Sequence, residues 1–87
     1  MLQVAWRKLK DGKFVFLTIG VFNWAPGNDV HVEHRVDSEF VSHWDLLIKK
    51  VKPQDAGLYE CQITAKQKQT RNVTLNVVGE YDLSQTL

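Results

Sequence analysis

The stretch "QDAGLYECQ" (residues 54–62) is the most informative part of this 87-residue sequence. Asp55 and Gly57 mark a turn, and the run that follows places Tyr59 and Cys61 at the same parity. Side chains two residues apart on a strand share one face, so Tyr59 and Cys61 are expected to enter the same core. Cys61 is the only cysteine in the sequence, so this chain cannot form an internal disulfide.

Length and composition predict one small globular domain, with 44% hydrophobic and 24% charged residues. A net charge of +1 provides no basic face for nucleic acid. No apolar run reaches the ~18 residues of a membrane span. The first ten residues have no apolar core or cleavage site of a signal peptide.

Alternating apolar residues and closely spaced turn signals predict an all-β chain of about seven short strands, arranged as a β-sandwich. A basic turn, residues 66–71, is predicted to join the last two strands. We expect the domain to span residues 1–79 and residues 80–87 to be a linker or tail. The predicted strands are residues 3–9, 14–20, a short edge strand with Phe22 and Trp24, 30–36, 43–51, 58–66 and 72–78.

A set of aromatic and turn residues resembles the V-type immunoglobulin domain from its third strand, C, to its last, G. Trp6 matches the buried strand-C tryptophan, and Cys61 matches the second cysteine of the inter-sheet disulfide. Tyr59 matches the tyrosine corner, whose hydroxyl bonds back to the backbone, and Asp55 belongs to the same motif. The inward residues expected on strand E are Trp44, Leu46 and Ile48, and those expected on the last strand are Val73, Leu75 and Val77. The resemblance implies an immunoglobulin-like β-sandwich that contains strands C to G.

A narrower resemblance is carried by "VAWRK", "FLTIG", "HVEHRVDS", "WDLLIK" and "DAGLYECQI". These motifs are similar to the first immunoglobulin domain of the defective proboscis extension response proteins and their nematode zwei-immunoglobulin relatives. Such proteins are neuronal receptors at the cell surface or secreted, and their pairing contributes to synaptic partner choice. The resemblance implies a recognition and adhesion module whose partner is a related immunoglobulin-superfamily receptor, bound homophilically or heterophilically.

The resemblance also implies that the chain is an N-terminally truncated fragment. In a V-type domain the first cysteine lies about a dozen residues before the strand-C tryptophan, whereas five residues precede Trp6. Strands A and B are then missing, and strand E is expected to have an unpaired edge. The arginine that usually pairs with the equivalent of Asp55 falls at Asn28 or Asp29, with Arg35 as a substitute.

Binding in the related receptors uses the sheet of strands C, C′, C″, F and G. The run "FVFLTI" (residues 14–19) is apolar at both parities, so one set of side chains must face outward, although parity cannot determine which set. We predict an aromatic and aliphatic centre with a polar rim. The predicted protein-binding residues are Phe14, Phe16, Leu17, Ile19, Phe22, Trp24, Glu60, Gln62 and Thr64.

Other functional classes have weaker signals. His31 and His34 point to opposite faces of one strand, so no metal site is predicted. "NVT" makes Asn72 a glycosylation candidate. No catalytic arrangement is visible, so we predict neither an enzyme nor a cofactor nor a small-molecule substrate. Three alternatives remain: a V domain of the immune type that binds through loops, a filament immunoglobulin module, and a truncated product without independent function.

Overall fold

The computed structural model describes residues 2–24, 29–39, 41–78 and 84–87, and it shows an all-β chain. A short 3₁₀ turn, Pro53–Asp55, lies just before the strand that contains Tyr59 and Cys61. The strands are β1 (Gln3–Lys10), β2 (Lys13–Ile19), β3 (Phe22–Asn23), β4 (Val30–Val36), β5 (Ser42–Ile48), β6 (Gly57–Thr64), β7 (Lys68–Leu75) and β8 (Gln85–Thr86).

The strands form two antiparallel sheets. A five-stranded sheet has the order β3-β2-β1-β6-β7, and a three-stranded sheet has the order β4-β5-β8. The tight turn between β1 and β2 places Asp11 and Gly12 at positive φ, which the Asp-Gly pair accommodates at little cost. The all-β prediction and the sandwich-like pairing of two sheets are therefore confirmed.

One core joins the two sheets. Trp6 on β1 and Tyr59 on β6 pack against Leu46 and Ile48 on β5. The Trp6 indole Nε1 donates a hydrogen bond to the backbone carbonyl of Trp44, 2.9 Å away, so the buried ring also ties one sheet to the other. This core agrees with the inward parity predicted for strands β5, β6 and β7. Its buried members are Val4, Trp6, Leu17, Val32, Leu46, Ile48, Val51, Tyr59, Cys61 and Leu75.

A β-bulge in the β1–β2 pair determines which side chains of β2 face outward. Trp6 pairs with Thr18 and Arg7 with Phe16, so Leu17 is an extra residue on β2. The extra residue shifts the alternation by one position. Leu17 and Thr18 consequently both point inward, while Phe16 points outward.

Two sequence predictions about connecting segments were wrong. Residues 84–87 do not form a free tail, because Gln85 and Thr86 pair with β5 and therefore cover part of the edge that was expected to be unpaired. The basic turn is shorter than predicted, since Lys68–Arg71 already belongs to β7 and pairs with β6. Boundaries next to turns are the least certain part of a sequence-based assignment, because pairing partners decide them.

The arginine position of the V-type pattern is only partly described, because Asn28 lies outside the described residues. Asp29 approaches Lys52, with 3.9 Å between carboxylate and ammonium. Arg35 pairs with Asp37 at 3.1 Å rather than with Asp55. The expectation that Arg35 takes the place of the V-type arginine is therefore wrong. The Asp55 carboxylate instead accepts a hydrogen bond from the backbone N–H of Lys52 at 2.8 Å.

Candidate protein-binding face

The outward side of the five-stranded sheet, called the outer face below, collects most of the predicted binding residues. Ala5 on β1 pairs with Ile19 on β2 and with Gln62 on β6, and paired residues share a face. Arg7 likewise pairs with Phe16 and Glu60. The predicted residues that share this side are Phe14, Phe16, Ile19, Phe22, Glu60, Gln62 and Thr64.

Leu17 was wrongly placed on this face. Its side chain is only 5% exposed and packs in the core beside Trp6. The bulge is the physical reason, because it turns Leu17 inward while Phe16 and Ile19 both remain outward. Alternation in the sequence did not determine which side chains of β2 face outward. Strict alternation would place Leu17 and Ile19 on the same face, whereas the bulge places them on opposite faces.

An exposed aromatic cluster lies at the β2–β3 edge of the outer face. Phe16 is 37% exposed, Phe22 62% and Trp24 57%. The Trp24 ring contacts Phe16 and Phe22 edge-to-face, at centroid distances of 6.5 and 6.4 Å. Trp24 is held in place because its backbone N–H bonds to the carbonyl of Leu17 at 2.9 Å. Aromatic side chains in a cluster of this kind are typical anchors of protein interfaces.

An ion pair occupies the middle of the outer face. The Arg7 guanidinium donates to Glu60 Oε1 from Nε at 2.8 Å and also from a terminal nitrogen. The guanidinium carbon lies 4.6 Å from the Phe14 ring centroid and 5.7 Å from that of Phe16. The Glu60 side chain is only 10% exposed. Glu60 therefore holds the Arg7 side chain in place and neutralises its charge. The sequence had predicted that Glu60 would itself contact a partner protein.

A shallow depression of about 100 Å³ opens beside this pair. Its floor is Ala5, whose small side chain leaves room between Phe16 and Ile19 on one side and Gln62 on the other. The volume is close to that of one medium-sized side chain. A protruding residue of a partner could enter it and be surrounded by apolar walls with an amide at the rim.

The polar rim continues onto β7. Gln62 is partly buried, Thr64 is exposed, and Asn72 is exposed opposite Glu60 in the β6–β7 register. The glycosylation candidate therefore lies on the outer face, at its β7 edge. On the other side of the same strand, Leu75 is buried and Val73 partly buried, as the sequence predicted.

The residues singled out as structural lie beneath this face. The Tyr59 hydroxyl donates to the backbone carbonyl of Asp55 at 2.5 Å, which confirms the bond predicted for the tyrosine corner. Burial, followed by the nearby Asp55 carboxylate, raises the pKa of Tyr59 to about 12. Cys61 pairs with Trp6 in the β1–β6 register and remains a free thiol. Burial raises the pKa of that thiol, which keeps it protonated and unreactive.

Two buried polar groups were not anticipated. Lys8 is on the inner side of β1, and its ammonium donates to the carbonyl of Gln54 at 2.6 Å. Desolvation lowers the pKa of Lys8, while the Asp55 carboxylate acts in the opposite direction. Thr18 is fully buried, and its hydroxyl has no hydrogen-bond partner among the described residues. Only the bulge reveals that Thr18 points inward, so the sequence carried no usable signal.

The three-stranded sheet contains the histidines that were weighed as metal ligands. His31 lies 3.6 Å from the carboxylate of Glu33, whereas His34 stacks on Trp44 with ring centroids 3.7 Å apart. Within residues 2–24, 29–39, 41–78 and 84–87, no three His, Cys, Asp or Glu side chains are grouped as metal ligands. The same residues contain no helix long and apolar enough to cross a membrane.

Comparisons with known proteins give no further assignment. No family model matches the chain, and neither does any curated protein or solved structure. The function must therefore be argued from the outer face itself.

Proposed function

We propose that this chain is a recognition and adhesion module of an immunoglobulin-superfamily receptor on neurons. It binds a related immunoglobulin domain through the outer face, and this pairing contributes to the choice of synaptic partners. The parent receptor acts at the cell surface.

The strand order supports the V-type part of this proposal. V-type domains add strands C′ and C″ to a sheet of strands C, F and G, and the order β3-β2-β1-β6-β7 corresponds to C″-C′-C-F-G. The Tyr59 hydroxyl bond to the Asp55 carbonyl supports the same reading, as does Cys61 opposite Trp6. In this reading β4 and β5 are strands D and E, and β8 lies beside β5 where a V-type domain has strand B.

The observation that carries the binding role is the composition of the outer face. Phe16, Phe22 and Trp24 are exposed, and Trp24 contacts both phenylalanine rings. The nearby charge of Arg7 is neutralised by Glu60. Interface centres are depleted in free charge and enriched in aromatic residues and arginine. A neutral face of this kind can be desolvated against a similar face without leaving an unpaired charge.

Binding to an array of neuronal immunoglobulin-receptor ectodomains, including the chain itself, tests this proposal. We expect at least one partner, and Phe16→Asp should weaken that pairing at least ~30-fold, since interface anchors contribute about 2 kcal/mol or more. Leu47→Asp is the matched control, because Leu47 is a partly exposed leucine on the outward side of the other sheet.

The two variants separate the alternatives. Equal binding by the wild-type chain and Phe16→Asp would contradict sheet docking and favour recognition through loops. Loss of binding with Leu47→Asp alone would assign the interface to the three-stranded sheet. If no ectodomain in the array binds, the receptor role is wrong.

A further inference from the structure

A cavity of about 130 Å³ lies between the two sheets, near the turn that joins β1 to β2. Its apolar lining comes from Leu17 on β2 and Ile48 on β5, and both side chains are buried. Because one water molecule takes up about 30 Å³, the cavity has room for a molecule of about four to six non-hydrogen atoms. A wider depression beside it shares Lys8, Gln54 and Asp55, so the cavity has a route to solvent.

The ammonium group of Lys8 lies at the wall of this cavity with most of its hydrogen-bonding capacity unused. Lys8 is 7% exposed, and its ammonium donates one hydrogen bond, to the carbonyl of Gln54 at 2.6 Å. Both residues line the cavity. A lysine ammonium has three N–H donors, so two of them lack a protein acceptor within the described segments.

The charge of Lys8 is also without a direct partner. No carboxylate in the described part of the chain forms an ion pair with Lys8. Desolvation lowers the pKa of Lys8 and outweighs the opposite effect of the Asp55 carboxylate. The protein therefore replaces the lost hydration of this ammonium only in part.

The charged residues around the cavity leave one positive charge in excess. Three lysines and two aspartates line it, namely Lys8, Lys10, Lys52, Asp29 and Asp55. Asp29 lies 3.9 Å from the ammonium of Lys52 and offsets its charge. The Asp55 carboxylate accepts a hydrogen bond from the backbone N–H of Lys52. A ligand with a single negative charge would make the lining neutral.

We propose that this cavity binds a short alkyl carboxylate, a free acid of about two to four carbons. The carboxylate accepts hydrogen bonds from the Lys8 ammonium, and the alkyl chain contacts Leu17 and Ile48. Hydrogen bonds between ionised groups are the stronger kind, and carboxylate oxygens are the acceptors that this ammonium lacks. A phosphate group fits less well, because it carries more than one negative charge and has no apolar part. The site is separate from the outer face and does not depend on the proposed function.

Titration of the full chain with acetate, propionate and butyrate tests the proposal. The methyl NMR signals of Leu17 and Ile48 report binding inside the cavity. We expect saturable shifts, with an affinity that rises about threefold for each added methylene, because each one leaves water for the apolar lining. Methylammonium, a cation of similar size to acetate, should not bind. Equal affinities for the three acids would overturn the proposal, as would shifts that do not saturate.

Three variants assign the binding to the cavity. Lys8→Met keeps the length of the side chain and removes its charge, so butyrate should bind at least ~tenfold more weakly. Asp29→Asn removes a repelling carboxylate and should tighten binding about threefold. Lys68→Met, at an exposed lysine on β7 outside the cavity, is the matched control and should change nothing.

Equal butyrate affinities of Lys8→Met and Lys68→Met would overturn the proposal. If Lys8→Met does not fold, Asp29→Asn still decides the outcome, because Asp29 is exposed and its replacement leaves the core unchanged. An Asp29→Asn chain that binds butyrate no more tightly than wild type would contradict the role of charge in the cavity.

A capped tripeptide, glycine–glutamate–glycine, determines the source of the carboxylate. Its side chain ends in the same group as propionate, but the cavity has no room for the attached backbone. The peptide should therefore bind about tenfold more weakly than propionate. Tighter binding of the peptide than of propionate would overturn the choice of a free acid and assign the cavity to an acidic side chain of a protein.

Discussion

The outward sides of the two sheets differ in the chemistry they present to solvent. The outer face of the five-stranded sheet contains Phe16 and Phe22, and its Arg7–Glu60 ion pair is little exposed. The outward side of β4 and β5, called the polar face below, contains Glu33 opposite Asp45 and Arg35 opposite His43. A solvated sheet face is normally polar, so the polar face needs no partner to be soluble, whereas the apolar outer face is accounted for by an interface.

The charged pairs on the two faces show the same difference. Arg7 and Glu60 are flanked by aromatic rings and little exposed. On the polar face, Asp37 bonds to both Arg35 and His43 in an exposed network. The His43 hydrogen bond, more than any other contact, lowers the pKa of Asp37. Such exposed pairs adapt to water and contribute little to stability, while the pair on the outer face is fixed before any partner arrives.

The largest predicted effect separates two neighbouring residues of β2. Leu17→Asp places a carboxylate in the core and should cost ~4 kcal/mol or more, which would unfold a domain of this size. Phe16→Asp changes a partly exposed side chain and should cost no more than ~1 kcal/mol. Urea unfolding measures both. Similar losses for the two variants would show that the bulge does not divide β2 into inward and outward residues as described.

A second prediction compares the two ion pairs. Arg7→Ala leaves the nearly buried Glu60 carboxylate without its partner and should lower the free energy of unfolding by about 1–3 kcal/mol. Arg35→Ala, on the polar face, should produce no loss beyond experimental error. Replacing both Arg7 and Glu60 by apolar residues of similar size should restore most of the stability. Equal losses from Arg7→Ala and Arg35→Ala in urea unfolding would remove the distinction between the faces.

The tyrosine beneath the outer face gives a pH prediction. The pKa of Tyr59 is raised from 10.0 to about 12, so the folded state holds the phenol proton more tightly than the unfolded state. The resulting stability is fully present below pH 10 and is lost as the pH rises through 12. Tyr59→Phe should cost about 1 kcal/mol at neutral pH, because the Asp55 carbonyl loses its donor. It should also remove part of the alkaline loss.

The lowered pKa of Lys8 makes the folded state more stable as the pH rises, which opposes the effect of Tyr59 in the same pH range. The contribution of Tyr59 is therefore obtained by comparing wild type with Tyr59→Phe. Stability measured from pH 8 to pH 12 provides the comparison. Identical pH profiles for the two proteins would contradict the assignment of the alkaline loss to Tyr59.

The smallest predicted effect is a gain in stability. The hydroxyl of Thr18 is buried without a partner among the described residues, and Thr18→Val replaces it with a methyl group of similar shape. We expect an increase of ~0.5–1 kcal/mol, because the desolvation penalty of the hydroxyl disappears. Thr70→Val, at an exposed threonine on β7, is the matched control and should change little. Destabilisation by Thr18→Val would indicate that the hydroxyl is hydrogen-bonded.

Much of the fold could be predicted from period-two alternation. Val30–Val36 was predicted with its observed bounds, and the inward parity of Leu46, Tyr59 and Leu75 was also correct. These strands alternate without interruption, so the local sequence determines which side is buried.

The candidate site could be predicted less completely, because two of its features depend on pairing between distant segments. The bulge opposite Arg7 puts Leu17 and Ile19 on opposite faces, although strict alternation would place them on the same face, and no residue in "FVFLTI" indicates the bulge. The pairing of Gln85–Thr86 with β5 was missed because a two-residue strand has no periodicity to detect. Arg7 and Glu60 are 53 residues apart in the sequence, so their pairing is recognised only from the register of β1 and β6.

The most direct test of the central claim is a map of backbone amide chemical shifts, recorded while the chain is titrated with the partner found in the ectodomain array. We predict that the perturbed amides cluster on the outer face, around Arg7, Phe16 and Gln62, while those of Glu33 and Arg35 on the polar face remain unchanged. A cluster on the polar face, or one confined to the turns between strands, would contradict the claim that the outer face is the recognition surface.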